Sequence, residues 1–241
     1  MPENIPLFDR RITFGGEEIP AYIASSPHII RATRKMSITP IPGTSREHIQ
    51  MEDAWEPYDQ PYSLFIGDGS EDSIQEAANA VALKLYKNGW QILEDDYEPD
   101  IYRLAYFQGP FDIENRYTRL GRFDINFRCR AERYLKNGNE PVSVNNGDSI
   151  TNPTTNNSKP LIHITGSGNG TLIIAGQQIN IKGLVDYINI DSDTQDAYRL
   201  PSENKNSMMV GSFPVLYPGA NNISFTDGIA TVTITPRFWR L

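Results

Sequence analysis

The residues with the most chemical potential lie in "YINIDSDTQDAY", residues 187–198. Here Asp191, Ser192, Asp193, Thr194 and Asp196 follow an apolar run. Carboxylates at alternating positions are how a calcium loop begins. That loop needs Asp or Asn at its first, third and fifth positions, glycine at the sixth and a bidentate Glu at the twelfth. Counted from Asp191, the third residue, Asp193, fits. The fifth is Gln195, the sixth Asp196 and the twelfth Ser202. The stretch therefore reads as a strand, Tyr187 to Ile190, running into a solvated acidic turn, and no metal is expected there.

The other candidates for chemistry fare similarly. "GSGNG", residues 166–170, has Thr171 where a dinucleotide-binding loop needs its last glycine, and the sequence that follows reads as strand rather than helix. A β-turn or hairpin is the expectation. Nucleophilic catalysis needs a base beside an activated nucleophile. The histidines are His28, His48 and His163, and the chain has neither a G-x-S-x-G elbow nor an H-E-x-x-H helix. Cys129 falls on the apolar side of a strand, where a buried thiol is inert. Asp95 and Asp96 are adjacent carboxylates of the kind a glycosidase separates across a cleft, and here they read as solvated loop residues. No enzymatic activity and no cofactor are expected from these residues.

The strongest charge feature is basic. "RYTRLGRFDINFRCRAERYLK", residues 116–136, holds seven Lys/Arg against Asp124 and Glu132, in a chain of net charge -8. Acidic segments answer it at "EDAWEPYD" and "EDDYEPD". Two readings stand side by side. One is intramolecular pairing, each exposed pair contributing about 0–1 kcal/mol. The other is contact between identical subunits, basic edge to acidic edge, of the head-to-tail kind that closes into rings. Arg116, Arg119, Arg122, Arg128, Arg130 and Arg133 are the candidate interface residues on the second reading.

The elements that would position these residues are mostly strands. In "GRFDINFRCRAERYL", Phe123, Ile125, Phe127, Cys129 and Ala131 point one way, and Asp124, Asn126, Arg128, Arg130 and Glu132 the other. "HIIRATRKMSITPIPG" reads as one long strand ended by proline and glycine. The clear helix covers about 72–88. Ile74, Ala77, Ala78, Val81 and Leu85 share a face, Ser73 and Glu76 are spaced for a capping box, and Gly89 can end it. Beyond residue 137 the chain loses charge and gains Asn, Thr, Ser, Gly and Ile. Runs at 161–165, 171–175, 178–182, 184–190, 213–217, 222–226 and 229–235 predict short strands of a sandwich. "NNG", residues 145–147, signals a hairpin. The chain thus divides into residues 1–136, β with one helix, and 137–241, nearly all β.

Bulk properties bound the function classes. A chain of 241 residues accommodates two domains. Its negative charge opposes non-specific nucleic-acid binding, which rests on cations displacing counterions from phosphates. One cysteine excludes an intrachain disulfide. Neither a secretion signal nor a membrane-spanning run is visible, so synthesis in a cytoplasm is expected, and the sequons at Asn156, Asn169 and Asn222 read as chance.

Three blocks carry a family likeness. The first is "ILEDDYEPDIYRLAYF" followed by the charged strand "GRFDINFRCRAERYL". The second is "KPLIHITGSGNGTLIIAGQQINIKGLVDYINIDSDTQDAY". The third is the ending "GSFPVLYPGANNISFTDGIATVTITPRFWRL", with Phe238-Trp239 where the family has Trp-Trp. In these blocks the sequence resembles the distal tail protein (Dit) family of siphophages and prophages of Gram-positive bacteria. The resemblance implies a mostly β protein with one helix: an N-terminal β-barrel-like (split-barrel) domain and a C-terminal galectin-like β-sandwich. It further implies a homo-hexameric ring at the virion tail tip, joining the tail-tube protein to a tail-tip, tail-associated lysin or fibre protein. Such rings anchor receptor-binding proteins in many phages and leave a channel for DNA ejection. The alternative from another class is a carbohydrate-binding protein of the host-adhesion device, using Tyr187, Tyr198 or Trp239 of the sandwich to stack on sugar.

Overall fold

A computed structural model describes residues 10–66, 74–112, 114–117 and 120–241. The chain divides into two compact units, residues 1–133 with Leu241, and residues 134–240. The break falls close to the composition change near 137.

The first unit holds β1 (Ile12–Phe14), β2 (Glu17–Glu18), β3 (Tyr22–Ile23), β4 (Arg34–Pro40), β5 (Glu47–Trp55), β6 (Tyr58–Ile66), α1 (Ile74–Leu85), β7 (Gln91–Asp95), β8 (Ile101–Phe107), β9 (Glu114–Tyr117) and β10 (Leu120–Leu135). Its main sheet runs β2-β1-β7-β8-β10-β6-β3. The two ends of that path approach each other, because the Ile23 N–H donates to the Arg10 carbonyl just ahead of β1 at 2.9 Å. The result is a nearly closed barrel-like sheet. The alternation of β10 is realised: Phe123, Ile125, Phe127, Cys129 and Ala131 are buried, while Arg122, Asp124 and Asn126 are exposed. Helix α1 lays Ala77, Val81 and Leu85 against this core, joined by the half-buried Ile74. The helix predicted over about 72–88 ends at Leu85, and the capping candidate Ser73 lies outside the described residues.

β4 and β5 stand apart from the barrel as a two-stranded sheet of their own. The long strand read from residues 28–43 is only the first arm of this hairpin.

The second unit holds β11 (Val142–Val144), β12 (Ser149–Asn152), β13 (Leu161–Ile174), β14 (Gln177–Asp191), β15 (Asp196–Tyr198), β16 (Met209–Val210), β17 (Gly219–Phe225), β18 (Ile229–Thr235) and β19 (Trp239–Arg240). Runs predicted as separate strands are fused: 161–165 with 171–175 in β13, and 178–182 with 184–190 in β14. β13 pairs with β18 through its first half and with β17 through its second. One strand thereby turns from one layer of the sandwich into the other, around a core of Ile162, Ile164, Leu172, Ile174, Ile188, Ile190, Ile223 and Val232. The run 213–217 makes only an isolated bridge, Leu216 to Ser158. "NNG" does form a turn, closed by the Asp148 N–H on the Asn145 carbonyl at 3.1 Å. Its flanking strands diverge, however, β11 to β18 and β12 to β17.

"GSGNG" is not the turn that was expected. It is the corner within β13, where the register shifts at Thr165/Gly166 against β18 and at Gly168/Gly170 against β14. Backbone meets backbone there. A Cβ on Gly166 would sit 2.0 Å from the Gly228 carbonyl oxygen, and one on Gly228 2.2 Å from that of Asn169. Gly228→Ala should therefore lower stability by about 3 kcal/mol, from the clash and its φ of +99° together. Gly183→Ala, at positive φ but in open space, should cost only about 1 kcal/mol. Urea unfolding of both variants checks this, and equal losses would remove the corner from the account.

Candidate functional site

The acidic turn after β14 is an internal clasp. One Asp191 oxygen accepts the N–H of Asp193 at 2.9 Å and that of Thr194 at 3.4 Å, which fixes the turn. The same carboxylate takes both arms of the Arg237 guanidinium, at 2.6 and 3.0 Å. Burial pushes the Asp191 carboxyl up, but the Arg237 fork and the two backbone N–H groups outweigh it and hold it below the usual carboxylate range. Arg237 meets this carboxylate from a left-handed conformation, φ 54°. Asp193 pairs with Lys159, and Asp196 accepts from Asn204 at 2.7 Å. Among the described residues no three His, Cys, Asp or Glu side chains are grouped to hold a metal ion.

The histidines are scattered. His163 bonds Asn189 across the β13–β14 ladder at 2.8 Å, whereas His28 and His48 are exposed in the other unit. Burial pushes the Cys129 thiol up to about 12, so it carries no thiolate at neutral pH. The sugar-stacking candidates are engaged within the chain. Tyr187 packs against His163, ring centres 5.4 Å apart, with the Arg199 guanidinium 5.2 Å from its ring. Tyr198 is half-buried in β15, and the Trp239 indole N–H donates to the Asn157 carbonyl.

Asp95 and Asp96 correct the expectation of a solvated pair. Asp95 is 5% exposed and accepts the Tyr62 hydroxyl at 2.6 Å, the N–H groups of Tyr97 and Glu98, and the Arg103 guanidinium at 3.2 Å. Arg103 also holds Glu98 and the Tyr58 hydroxyl, and Arg133 reaches Glu98 from the end of β10. Asp96 accepts the Arg11 N–H at 2.8 Å. Burial, reinforced by the charge of Asp95, keeps the Tyr62 hydroxyl protonated well above its ordinary range. Two arginines, two carboxylates and two tyrosines thus seal one end of the barrel core. A readable sign of this cluster was Arg103 in the inward row Ile101, Arg103, Ala105, Phe107. Arg133, two residues beyond Ala131, was another.

The basic segment disperses. Arg116 lies in β9, and Arg119 is outside the described residues. Arg122 is exposed, Arg128 is half-buried and pairs with Asp59 at 3.2 Å, and the Arg130 guanidinium sits 5.3 Å from the Trp90 ring. Arg133 is buried on Glu98.

The feature the sequence reading missed is the β4–β5 hairpin. Met36 pairs with Met51 and Ile38 with Ile49, so these four side chains share one face, with Ser37, Thr39, His48 and Gln50 on the other. Alternation of this kind ordinarily buries the apolar face. Here the four are 45–59% exposed. A second apolar surface lies on the outside of the barrel. Trp90 meets Tyr106 edge to face at 5.0 Å, Ile92 pairs with Leu104, and Arg130 covers Trp90. Both are exposed apolar surfaces of the kind a partner covers.

No protein-family model matches the sequence, and no curated protein matches it. Solved structures do match. At 12% identity the chain is similar to a component of the phage P2 baseplate in its activated conformation, with TM-score 0.51 over 93% of this chain and 97% of that one. The strontium-containing form of that baseplate gives the same values. The fold is therefore of the phage-baseplate class. More particularly it is the Dit fold: the Dit protein of phage SPP1, described as a paradigm of the hub adsorption apparatus in phages infecting Gram-positive bacteria, superposes with TM-score 0.72 at 10% identity, over 93% of this chain and 97% of that one.

Two substitutions test the clusters. Arg103→Met leaves Asp95 and Glu98 short of a cation in a buried site and should cost about 3–5 kcal/mol. Arg237→Met should destabilise at neutral pH by about 1.5–3 kcal/mol, the worth of a charged hydrogen-bonded pair. Because the folded-state pKa of Asp191 is depressed, that contribution is present above the unfolded carboxylate value and is lost as pH falls through the folded one. Urea unfolding across pH should show the wild-type and R237M stabilities converging in acid. A gap that stays constant to the lowest pH would contradict the clasp.

Proposed function

We propose that this chain is a structural hub of a phage tail tip. Its copies form a homo-hexameric ring that joins the tail-tube protein to a tail-tip, tail-associated lysin or fibre protein, and the ring leaves a channel for DNA ejection. The observation that carries this reading is the likeness to the SPP1 Dit hub, which runs through nearly the whole of both chains. The virion tail is its place, and receptor-binding proteins are further partners. The first part, residues 1–136 in the sequence division, makes the ring.

Physical features support the assignment. An amphipathic hairpin whose apolar face is exposed among the described residues is what a ring-forming subunit would carry, since head-to-tail contacts close into rings. Arg122, Arg128 and Arg130 place positive charge along β10, while Arg133 serves the interior. A net charge of -8 suits a conduit that passes DNA without holding it. The reading is structural rather than catalytic, because the polar clusters described are internal clasps. Carbohydrate binding by the second unit gains less support, because Tyr187 is flanked by His163 and Arg199 and the Trp239 N–H is engaged.

Negative-stain imaging and native mass measurement of the purified chain, alone and with its tail-tube protein, should show a six-lobed ring with a central hole. A protein that stays monomeric in both settings contradicts the hub reading. In the same assay the Arg128→Glu/Arg130→Glu variant should assemble at least tenfold less while unfolding at a similar urea concentration.

A further inference from the structure

The sequence contains four Asn-Gly pairs: Asn88-Gly89, Asn137-Gly138, Asn146-Gly147 and Asn169-Gly170. Asparagine followed by glycine can deamidate without an enzyme. The glycine backbone nitrogen loses its proton and attacks the Asn Cγ. A bond forms between that nitrogen and Cγ, the Cγ–Nδ2 bond breaks, and the side-chain amide leaves as ammonia, carrying the proton away. Water then opens the cyclic imide at one of its two carbonyls and leaves aspartate or isoaspartate. Glycine favours the closure because no Cβ stands in the way and its backbone turns freely. The ring closes only where the carboxamide can swing onto the next backbone nitrogen, so the fold decides which pairs react.

Three of the pairs are held. The Asn146 Oδ1 accepts the Phe225 N–H at 2.8 Å, and the Gly147 N–H donates to the Ile223 carbonyl at 2.9 Å, so both reacting groups are engaged. The Asn169 Oδ1 accepts the Gly183 N–H at 2.9 Å, and Gly170 is buried in the β13 ladder opposite Ile181. Gly138 is buried, its carbonyl takes the Arg237 N–H at 2.6 Å, and a Cβ on it would meet the Phe238 nitrogen at 2.6 Å. Asn88-Gly89 differs. Both residues are exposed, in the bend between α1 and β7. Among the described residues nothing bonds the Asn88 side chain or the Gly89 N–H, and the bond from the Gln91 Nε2, at 2.7 Å, goes to the Asn88 backbone carbonyl. Gly89 has a φ of +72° and open space where a Cβ would be. We propose that Asn88 is a spontaneous deamidation site, the pair of the four that reacts in the folded protein. The product places a new carboxylate beside the exposed Trp90, on the surface it shares with Tyr106 and Arg130. Isoaspartate also lengthens the backbone by a methylene just ahead of β7.

The test incubates the full chain at mildly alkaline pH, folded and in concentrated urea. Conversion at each pair is followed by peptide mass mapping, and isoaspartate by an enzymatic methyl-acceptor assay. In the folded chain Asn88 should convert at least tenfold faster than Asn137, Asn146 or Asn169, which must wait for local or global opening. In urea the four rates should converge to within several-fold, the other three rising and Asn88 changing little. Four similar rates in the folded chain, or another pair leading, overturn the proposal. So does an Asn88 rate that rises in urea as much as the other three. Asn88→Gln, whose longer carboxamide closes a ring far more slowly, should remove most of the isoaspartate formed by the folded chain and leave the urea midpoint unchanged. Isoaspartate appearing in that folded variant at the wild-type rate overturns the assignment. Should the substitution disturb folding, the wild-type peptide map decides by itself, because it compares the four pairs within one molecule.

Discussion

A two-stranded hairpin cannot hide its apolar face by itself. Its backbone groups pair with one another, as those of β4 and β5 do, but one side of a two-stranded sheet must face either a core or water. Isolated hairpins are marginal for this reason. In this chain Met36, Ile38, Ile49 and Met51 face water while the barrel beside them is fully packed on Phe14, Leu64, Leu93 and Phe127. The barrel is therefore packed while this face of the hairpin stays exposed among the described residues. That imbalance makes assembly the natural reading of this chain.

Those inward clusters engage their polar residues within the chain. The guanidinium of Arg103 lies between Asp95, Glu98 and Tyr58, and that of Arg237 is held bidentate by Asp191. Each brings opposite charges together away from water, where an unpaired partner would be strongly unfavourable. Such clasps make the ends of a barrel and the turn of a sandwich rigid. Rigidity suits a hub, which must present the same docking surfaces in every copy of a symmetric ring.

How much of this was legible depended on range. The alternation of β10 and the apolar face of α1 are local patterns, and the structure agrees with both. The cluster around Asp95 was not legible as a cluster, because Tyr62 and Asp95 are 33 residues apart. Locally Asp95 and Asp96 look like any solvated acidic turn. The corner at "GSGNG" resembled a turn because glycine is needed for both. The difference lies in Gly228, some sixty residues later, whose carbonyl occupies the space of a Cβ on Gly166. β5 was overlooked because "EHIQMEDAW" alternates with charges that suggest surface loop. It is a strand because β4 pairs with it, and both of its faces are open.

Hydrogen exchange of the amides in residues 34–55 tests the central claim most directly, since exchange reports the local free energy of opening. In dilute monomer the β4–β5 amides should exchange at least a hundredfold faster than those of β6 in the barrel. In the assembled ring they should slow toward the β6 rate, because the apolar face is then covered. Hairpin amides already as protected as β6 in the monomer, or still fast in the ring, would contradict the account.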